Sequence, residues 1–161
     1  MRTSIKTILV SSICILFVAL SCSKDDDEEL TKDGAFSISE LAGNWDATRA
    51  SFSGNSANID VVADGGSVTM SVRSSGRFTL TIDPVDRAAY TVSGEMFWEK
   101  FEGNSFFAIV WDDYPGDWDT YGATLTATTF DLNGGFDSAE YDFDNDGTFE
   151  SASISMTFTR S

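Results

Sequence analysis

The sequence predicts an all-β domain of about nine antiparallel strands. Apolar and polar residues alternate along several stretches, most clearly over residues 67–73 (SVTMSVR) and 152–160 (ASISMTFTR). Such alternation is typical of strands that pack on a core with one face and meet water with the other. Helical periodicity is nearly absent after residue 42, and the connections are too short for parallel crossovers. An up-and-down barrel and a two-sheet sandwich both satisfy this pattern.

Turn signals separate most of these strands, among them residues 133–135 (NGG) and 145–147 (NDG). A short helical lead-in is predicted over residues 36–42 (FSISELA). The predicted strands are 44–52, 57–63, 67–73, 78–83, 88–98, 105–111, 121–132, 138–144 and 152–160. Their apolar faces predict an interior that includes Val68, Met70, Leu80, Ile82, Ile109, Leu125, Ile154 and Met156.

Residues 1–21 predict a secretory signal, because a basic start without acids precedes an apolar run over residues 8–20. The end of that run, residues 19–22 (ALSC), resembles the lipobox of bacterial lipoproteins. In such proteins the Cys is acylated and becomes the first residue of the mature chain. Since Cys14 lies in the segment that is removed, Cys22 is left without a disulfide partner. The sequence therefore predicts a lipid anchor, including palmitate, on Cys22.

Residues 22–35 predict a flexible acidic tether, because so short and polar a segment buries little apolar surface. Its start (CSKDDDEE) resembles the export tag on surface lipoproteins of the Bacteroidetes, where Lys followed by acids directs display outside the cell. The resemblance implies the outer membrane and its extracellular face. The alternative is a tether on the periplasmic face.

The charge and composition exclude several functions. The chain has 26 Asp and Glu against 10 Lys and Arg, a formal charge of −16, and no His. Nucleic-acid binding is excluded because it needs a basic surface. Without His, neither a Ser-His-Asp triad nor a His-zinc site is available. The spacing of the acids nominates no catalytic pair, and we expect a protein that is not an enzyme.

Two residues near the ends of the predicted domain favour the barrel. Trp45 follows Gly43 in a Gly-x-Trp pattern on the first strand, and Arg160 shares the apolar phase of Phe158 on the last. A cation on the apolar face of a strand is unfavourable unless another group packs over it. An indole ring can do so, with a cation–π attraction of about 1–2 kcal/mol. In lipocalins a late Arg packs across such a Trp and closes one end of the barrel. Residues 41–161 thus resemble the lipocalin-like domains of Bacteroidetes lipoproteins.

The resemblance implies a lipocalin-like β-barrel domain over residues 36–161 that binds a small ligand, hydrophobic or otherwise. The chain departs from secreted lipocalins in having no disulfide in the domain, no flanking helix and no Thr-Asp-Tyr loop; the nearest string is DTY at 119–121. The alternative is a carbohydrate- or protein-binding β-sandwich module.

Residues 142–150 (DFDNDGTFE) resemble the first half of an EF-hand-type calcium loop. Asp142, Asp144 and Asp146 alternate and are followed by a Gly that permits a sharp turn, as calcium-binding loops require. Glu150 stands at the ninth position, and the twelfth is Ser153 where a Glu is usual. This pattern predicts a structural calcium ion. The alternative is an ordinary hairpin turn whose acids face water.

An aromatic and acidic loop occupies residues 111–121 (WDDYPGDWDTY). Its aromatic rings can stack on sugar rings while the adjacent carboxylates accept hydrogen bonds from hydroxyl groups. The alternative is a long hairpin loop whose aromatic residues pack back onto the barrel. The candidate ligand- or glycan-binding residues are Trp111, Tyr114, Trp118 and Tyr121.

Overall fold

The computed structural model describes residues 29–54 and 57–161, which form eleven strands and one short 3₁₀-helix, η1 (Ile38–Leu41). The predicted signal segment, Cys22 and the acids up to residue 28 lie outside the described residues. The strands are β1 (Glu29–Thr31), β2 (Gly43–Ser53), β3 (Asn58–Asp60), β4 (Ser67–Val72), β5 (Arg77–Asp83), β6 (Tyr90–Phe101), β7 (Asn104–Trp111), β8 (Asp119–Leu125), β9 (Thr129–Gly134), β10 (Ala139–Tyr141) and β11 (Glu150–Arg160).

Eight of these strands close into an antiparallel barrel in the order β2, β4, β5, β6, β7, β8, β9, β11. Closure comes from β11, which returns to pair with β2 from Ser153 opposite Ser53 to Arg160 opposite Trp45. The predicted all-β, up-and-down barrel is confirmed. The alternative of a two-sheet sandwich is wrong, because the sheet runs unbroken around this seam.

The interior is filled by every second residue of the barrel strands, as the alternation predicted. The strand β4 shows this most simply, since its residues are exposed and buried in strict turn. Of the eight predicted interior residues, Leu125 differs, because it is only half-buried at the end of β8 while packing against the core. The other seven are buried: Val68, Met70, Leu80, Ile82, Ile109, Ile154 and Met156.

The prediction of one strand over residues 121–132 was wrong, because a turn divides it into β8 and β9. The hydroxyl of Thr126 accepts hydrogen bonds from the backbone N–H groups of Thr128 (3.3 Å) and Thr129 (2.9 Å). Side-chain oxygens of Ser and Thr form turns in this way without Gly or Pro. The usual turn residues are absent between β8 and β9, so the break could not be predicted from turn signals.

Two other predicted strands are shorter than expected. β10 ends at Tyr141, and residues 142–149 form a loop before β11. β3 covers only Asn58–Asp60, after which the Asp60 carboxylate accepts hydrogen bonds from the N–H groups of Val62 and Ala63, both at 3.2 Å. Several hydrogen bonds of this kind lower the pKa of Asp60 although burial opposes them.

The segment that leads into the barrel is ordered by contacts with β6. The strand β5 pairs with β6 only as far as Glu95, so the rest of that edge of β6 is free. β1 pairs with this free part of β6, with its residue Thr31 opposite Trp98. Lys32 holds the junction: its Nζ donates to Glu95 Oε1 at 2.8 Å and lies 3.4 Å from the centroid of the Phe97 ring. The described part of the predicted flexible tether is thus bound to the barrel.

Candidate ligand-binding site

One end of the barrel is sealed by η1 and the two residues predicted to close it. Trp45 is fully buried, and its indole N–H donates to the carbonyl of Leu41 at 2.8 Å. The guanidinium carbon of Arg160 lies 4.2 Å from the centroid of the Trp45 ring. Its two terminal nitrogens donate to the carbonyls of Ala42 and Glu40, each at 2.8 Å. These carbonyls belong to the end of η1, where a cation is favoured.

Aromatic side chains fill the barrel behind this seal. Phe36 packs edge-on against Trp98 at 5.0 Å and at 6.4 Å against Phe130, measured between ring centroids. The Trp98 indole donates to the carbonyl of Phe36 at 2.9 Å. Since Ile38 and Leu41 of η1 are also fully buried, the space at this end is occupied by the protein itself.

The opposite end of the barrel contains a cavity of about 520 Å³. This volume lies within the range of sites for small organic ligands, roughly 300–1,000 Å³. Its inner wall is apolar and is built by β2, β5, β6 and β11. The residues of this wall are Phe52, Leu80, Ile82, Val92, Ile154 and Met156.

The cavity opens through a set of residues that we call the mouth: Asp113, Tyr114, Asp119, Asp137, Glu140 and Phe149. They come from the connection between β7 and β8, the start of β8, β10 itself and the segments on either side of β10. Tyr114 is 58% exposed, so its ring is available to an incoming molecule. Tyr90 also lines the cavity and packs edge-on against Phe149, with 5.6 Å between ring centroids.

The four predicted aromatic residues of the 111–121 loop occupy different environments. Trp111 and Tyr114 line the cavity. Tyr121 is buried beside it, where its hydroxyl accepts a hydrogen bond from the Trp111 indole at 3.2 Å and donates to the Ser138 carbonyl at 2.6 Å. Trp118 is half-buried and is not among the lining residues. The loop therefore contributes two of its four aromatic rings to the cavity.

The carboxylates near the mouth differ in their electrostatic surroundings. Burial raises the pKa of Asp119, and the neighbouring Asp117 and Asp137 raise it further. Asp112, by contrast, forms a bidentate ion pair with Arg77 at 2.7 Å, and this hydrogen-bonded partner lowers its pKa. The residues that line the cavity, all in the described part of the chain, include no Lys or Arg.

Two hydroxyl groups of cavity-lining residues have no hydrogen-bond partner among the described residues: Tyr90 Oη and Ser138 Oγ. Ser138 is only 5% exposed, so its hydroxyl is withdrawn from bulk water. Burial also raises the pKa of Tyr90, which keeps its hydroxyl protonated. Neither oxygen has appreciable accessible surface, so neither is presented to the open space of the cavity.

Three of the four predicted calcium residues come together in the loop before β11. Asp142, Asp144 and Asp146 each offer an oxygen within 4.8 Å of the others. Asp142 is buried, and its carboxylate accepts hydrogen bonds from the N–H groups of Asp146 (3.1 Å) and Gly147 (3.0 Å). Glu150 turns to the backbone N–H of Phe143 at 3.1 Å. The loop is thus held by its own hydrogen bonds, and calcium binding stays a prediction.

A guanidinium group lies beside this loop. Arg87 donates to the carbonyl of Asp142, and its Nη1 is 3.6 Å from the Asp142 carboxylate. The same side chain lies over the Tyr141 ring, 5.3 Å from its centroid. Part of the negative charge of the loop is therefore already balanced by the protein.

Several residues that build this site were not among the candidates predicted from the sequence. Tyr90 and Ser138 line the cavity, and Asp113, Asp137 and Glu140 belong to its mouth. Tyr90 is in phase with Val92 at the start of β6, a signal that could have placed it inside the barrel. Asp113 and Asp137 are in irregular connections and Glu140 is in a strand of only three residues, so alternation does not indicate where their side chains point.

No family model, curated protein or solved structure matches this chain. Within residues 29–54 and 57–161, no helix has the length and apolar character to span a bilayer.

Proposed function

We propose that this protein is a lipoprotein that binds a small, largely apolar molecule in its lipocalin-like barrel and performs no catalysis. A lipid on Cys22 would anchor it to the outer membrane, with the domain on the extracellular face. The observation that carries the binding proposal is the cavity of about 520 Å³, which is open at one end of a barrel whose other end is sealed.

The apolar inner wall supports binding driven by the hydrophobic effect. Leu80, Ile82, Ile154 and Met156 present aliphatic side chains to the cavity from two strands, β5 and β11. Each 100 Å² of apolar ligand surface removed from water contributes roughly 2.5 kcal/mol before the costs of association. A molecule that fills much of the cavity can therefore bind without a network of polar contacts.

The proposal of a non-catalytic role rests on the chemistry of the side chains at the site. The chain has no His to serve as a general base near neutral pH. The raised pKa of Asp119 has burial as its main cause, and no nucleophilic side chain is placed against it in the described structure. A binding protein needs none of these groups.

Filling the cavity tests the binding proposal. Leu80→Trp places an indole in the cavity, whereas Thr81→Trp introduces the same side chain at the next residue, on the outer face of β5. We expect the Leu80 variant to lose most of its binding of a fluorescent apolar probe and the Thr81 variant to keep it. Equal binding by both variants, with both folded by circular dichroism, would place the probe outside the barrel and refute the proposal.

Labelling in cells tests the anchor. Cells that express the full chain are fed an alkyne-tagged palmitate, and the label is followed on the wild type and on Cys22→Ala. We expect label on the wild type alone and digestion of the domain by protease added to intact cells. A labelled protein that resists protease until the outer membrane is opened would assign the periplasmic face.

The second candidate function is glycan binding at the mouth. It is favoured by Tyr114, which is 58% exposed beside carboxylates that can accept hydrogen bonds from hydroxyls. A glycan array with wild type and Tyr114→Ala tests it, with Trp118→Ala as the comparison from the same loop. Retention that depends on Tyr114 and is unaffected by Leu80→Trp would favour this function over uptake into the barrel.

A further inference from the structure

We propose that the ligand is a cationic amphiphile, an apolar molecule with one protonated amine, whose body lies in the barrel and whose ammonium group lies at the mouth. The inference deepens the proposed function and rests on it. Its first basis is the sign of the charges: the mouth carries the four carboxylates of Asp113, Asp119, Asp137 and Glu140, and no Lys or Arg lines the cavity in the described structure.

These four carboxylates are not used by the protein's own cations. In residues 29–54 and 57–161 the ion pairs are Lys32 with Glu95, Arg77 with Asp112, and Arg87 with Asp86 and Asp142. None of these pairs includes an acid of the mouth. Arg77 sits close by and binds Asp112, whose carboxylate does not line the cavity. The acids at the opening thus have no counterion among the described residues.

Asp119 is the acid placed to meet the ammonium group. It is half-buried at the start of β8, whereas Asp113, Asp137 and Glu140 are exposed. A charge that is partly withdrawn from water interacts more strongly with an opposite charge than an exposed one does. The repulsion that Asp117 and Asp137 exert on Asp119 is relieved when a cation binds between them.

Two aromatic side chains supply a second indication of a cationic group. Aromatic faces attract cations, and Trp111 and Tyr114 line the same space as the acids of the mouth. Tyr114 is 58% exposed, so the face of its ring is available to the ammonium group.

The apolar inner wall of the cavity indicates that the rest of the ligand is apolar. Deep in the cavity the wall is made of side chains such as Phe52, Ile154 and Met156, which offer no hydrogen bond. A polyamine or a sugar amine would leave polar atoms unsatisfied there, at a cost of desolvation. The alkyl chain of a fatty acid fits the apolar wall, but its carboxylate would lie near the four carboxylates of the mouth and be repelled by them. A single amine on an apolar body satisfies both regions.

The test compares three probes with the same ten-carbon chain: decylamine, decanol and decanoate. Decylamine is protonated at neutral pH, like the amine of a Lys side chain. Isothermal titration calorimetry below micelle concentrations uses the full-length chain carrying Cys22→Ser, so that neither lipid nor detergent competes for the probe. We expect decylamine to bind at least tenfold more tightly than decanol, decanoate to bind weakest, and the advantage of the amine to shrink in high salt.

Variants assign the preference to the mouth. Asp119→Asn should weaken decylamine binding about tenfold and leave decanol binding unchanged. The matched control is Asp46→Asn, the same change at an exposed position at the sealed end. Should Asp119→Asn fail to fold, the double variant Asp113→Asn with Asp137→Asn changes only exposed side chains and is expected to give the same loss.

The outcomes separate the two proposals. Decanol binding as tight as decylamine binding, in wild type and Asp119→Asn alike, would refute the cationic ligand while supporting an apolar one. Tighter binding of decanoate would likewise refute it. If none of the three probes binds, and Leu80→Trp behaves as the wild type does, the proposed function itself is refuted.

Discussion

Arg160 and Trp45 join the end of the last strand to the start of the first barrel strand, with the guanidinium carbon 4.2 Å from the centroid of the indole ring. The same guanidinium donates to two carbonyls at the end of η1. One side chain therefore ties three elements together. Their sequence separation of more than a hundred residues makes this contact available only after the barrel has closed.

We predict that Arg160→Ala lowers the free energy of unfolding by about 1–2 kcal/mol, because it removes the cation–π contact and two hydrogen bonds at a partly solvated site. Arg160→Lys should recover only part of this loss, since an ammonium cannot reach both carbonyls of η1 in a planar fork. Urea unfolding followed by circular dichroism measures the change. Arg73→Ala is the control, because Arg73 is exposed and has no side-chain hydrogen bond in the described structure; an equal loss there would contradict the prediction.

We predict that Gly34→Ala detaches the segment that carries β1. A Cβ at residue 34 would lie 2.1 Å from the Trp98 ring, which is buried and cannot move aside cheaply. The expected cost is about 1–3 kcal/mol, typical of overpacking. Hydrogen exchange should show loss of protection in β1 with the barrel strands unchanged. At Gly135 a Cβ meets nothing within 4 Å, so Gly135→Ala is the matched control.

The pH dependence of stability should change in opposite directions when Asp119 and Asp112 are each replaced by Asn. The pKa of Asp119 is raised above 3.8, so its carboxylate is disfavoured in the folded state, and its ionisation destabilises the fold as pH rises. Asp119→Asn should therefore raise the melting temperature at neutral pH. The pKa of Asp112 is lowered from 3.8. Its ionised carboxylate therefore stabilises the folded state above about pH 3.8, and this stabilisation is lost as the pH falls through the lowered pKa.

Asp112→Asn should accordingly lower the melting temperature at neutral pH, by a small amount because the ion pair with Arg77 is exposed. The two variants should converge on the wild type at a pH below both carboxyl pKa values. Melting curves across the acidic range provide the measurement. The same sign for both variants at neutral pH would contradict these assignments.

Calcium binding at residues 142–150 is predicted to raise the melting temperature by several degrees relative to chelator. The triple change Asp142→Asn, Asp144→Asn and Asp146→Asn should abolish that rise, because it replaces the three clustered carboxylates with uncharged amides. Magnesium is the control ion, since it holds its water shell more firmly. If the melting temperature is the same with calcium and with chelator, the prediction is contradicted, and the hydrogen bonds that Asp142 accepts from Asp146 and Gly147 suffice to hold the loop.

The barrel was predictable because its signal is local. Alternation along β4 and β11 fixed which residues face inward, and turn residues marked most of the hairpins. The break at Thr126 was missed because a hydroxyl there performs the role usually given to Gly or Asn. β1 was missed because a strand of three residues (ELT) is too short to show an alternating pattern, and it forms only by pairing with the free edge of β6.

The candidate site was less predictable because its residues converge from distant parts of the chain. Asp119 and Glu140 are 21 residues apart, and nothing in their local sequence places them at one opening. The aromatic loop was recognised as a candidate, but only barrel closure decides that Trp111 faces the cavity and Trp118 does not. The acids of the mouth become visible as a group only in three dimensions.

The pairing of β1 with the far end of β6 also determines how the domain would be oriented on a cell. Glu29 lies opposite Lys100, near the tip of the β6–β7 hairpin, whereas Tyr90 at the other end of β6 lines the cavity. Cys22 is seven positions before Glu29, a reach of at most about 25 Å. A lipid at Cys22 would thus hold the plugged end toward the bilayer, so that cargo would enter from the surrounding medium and not by lateral transfer out of the membrane.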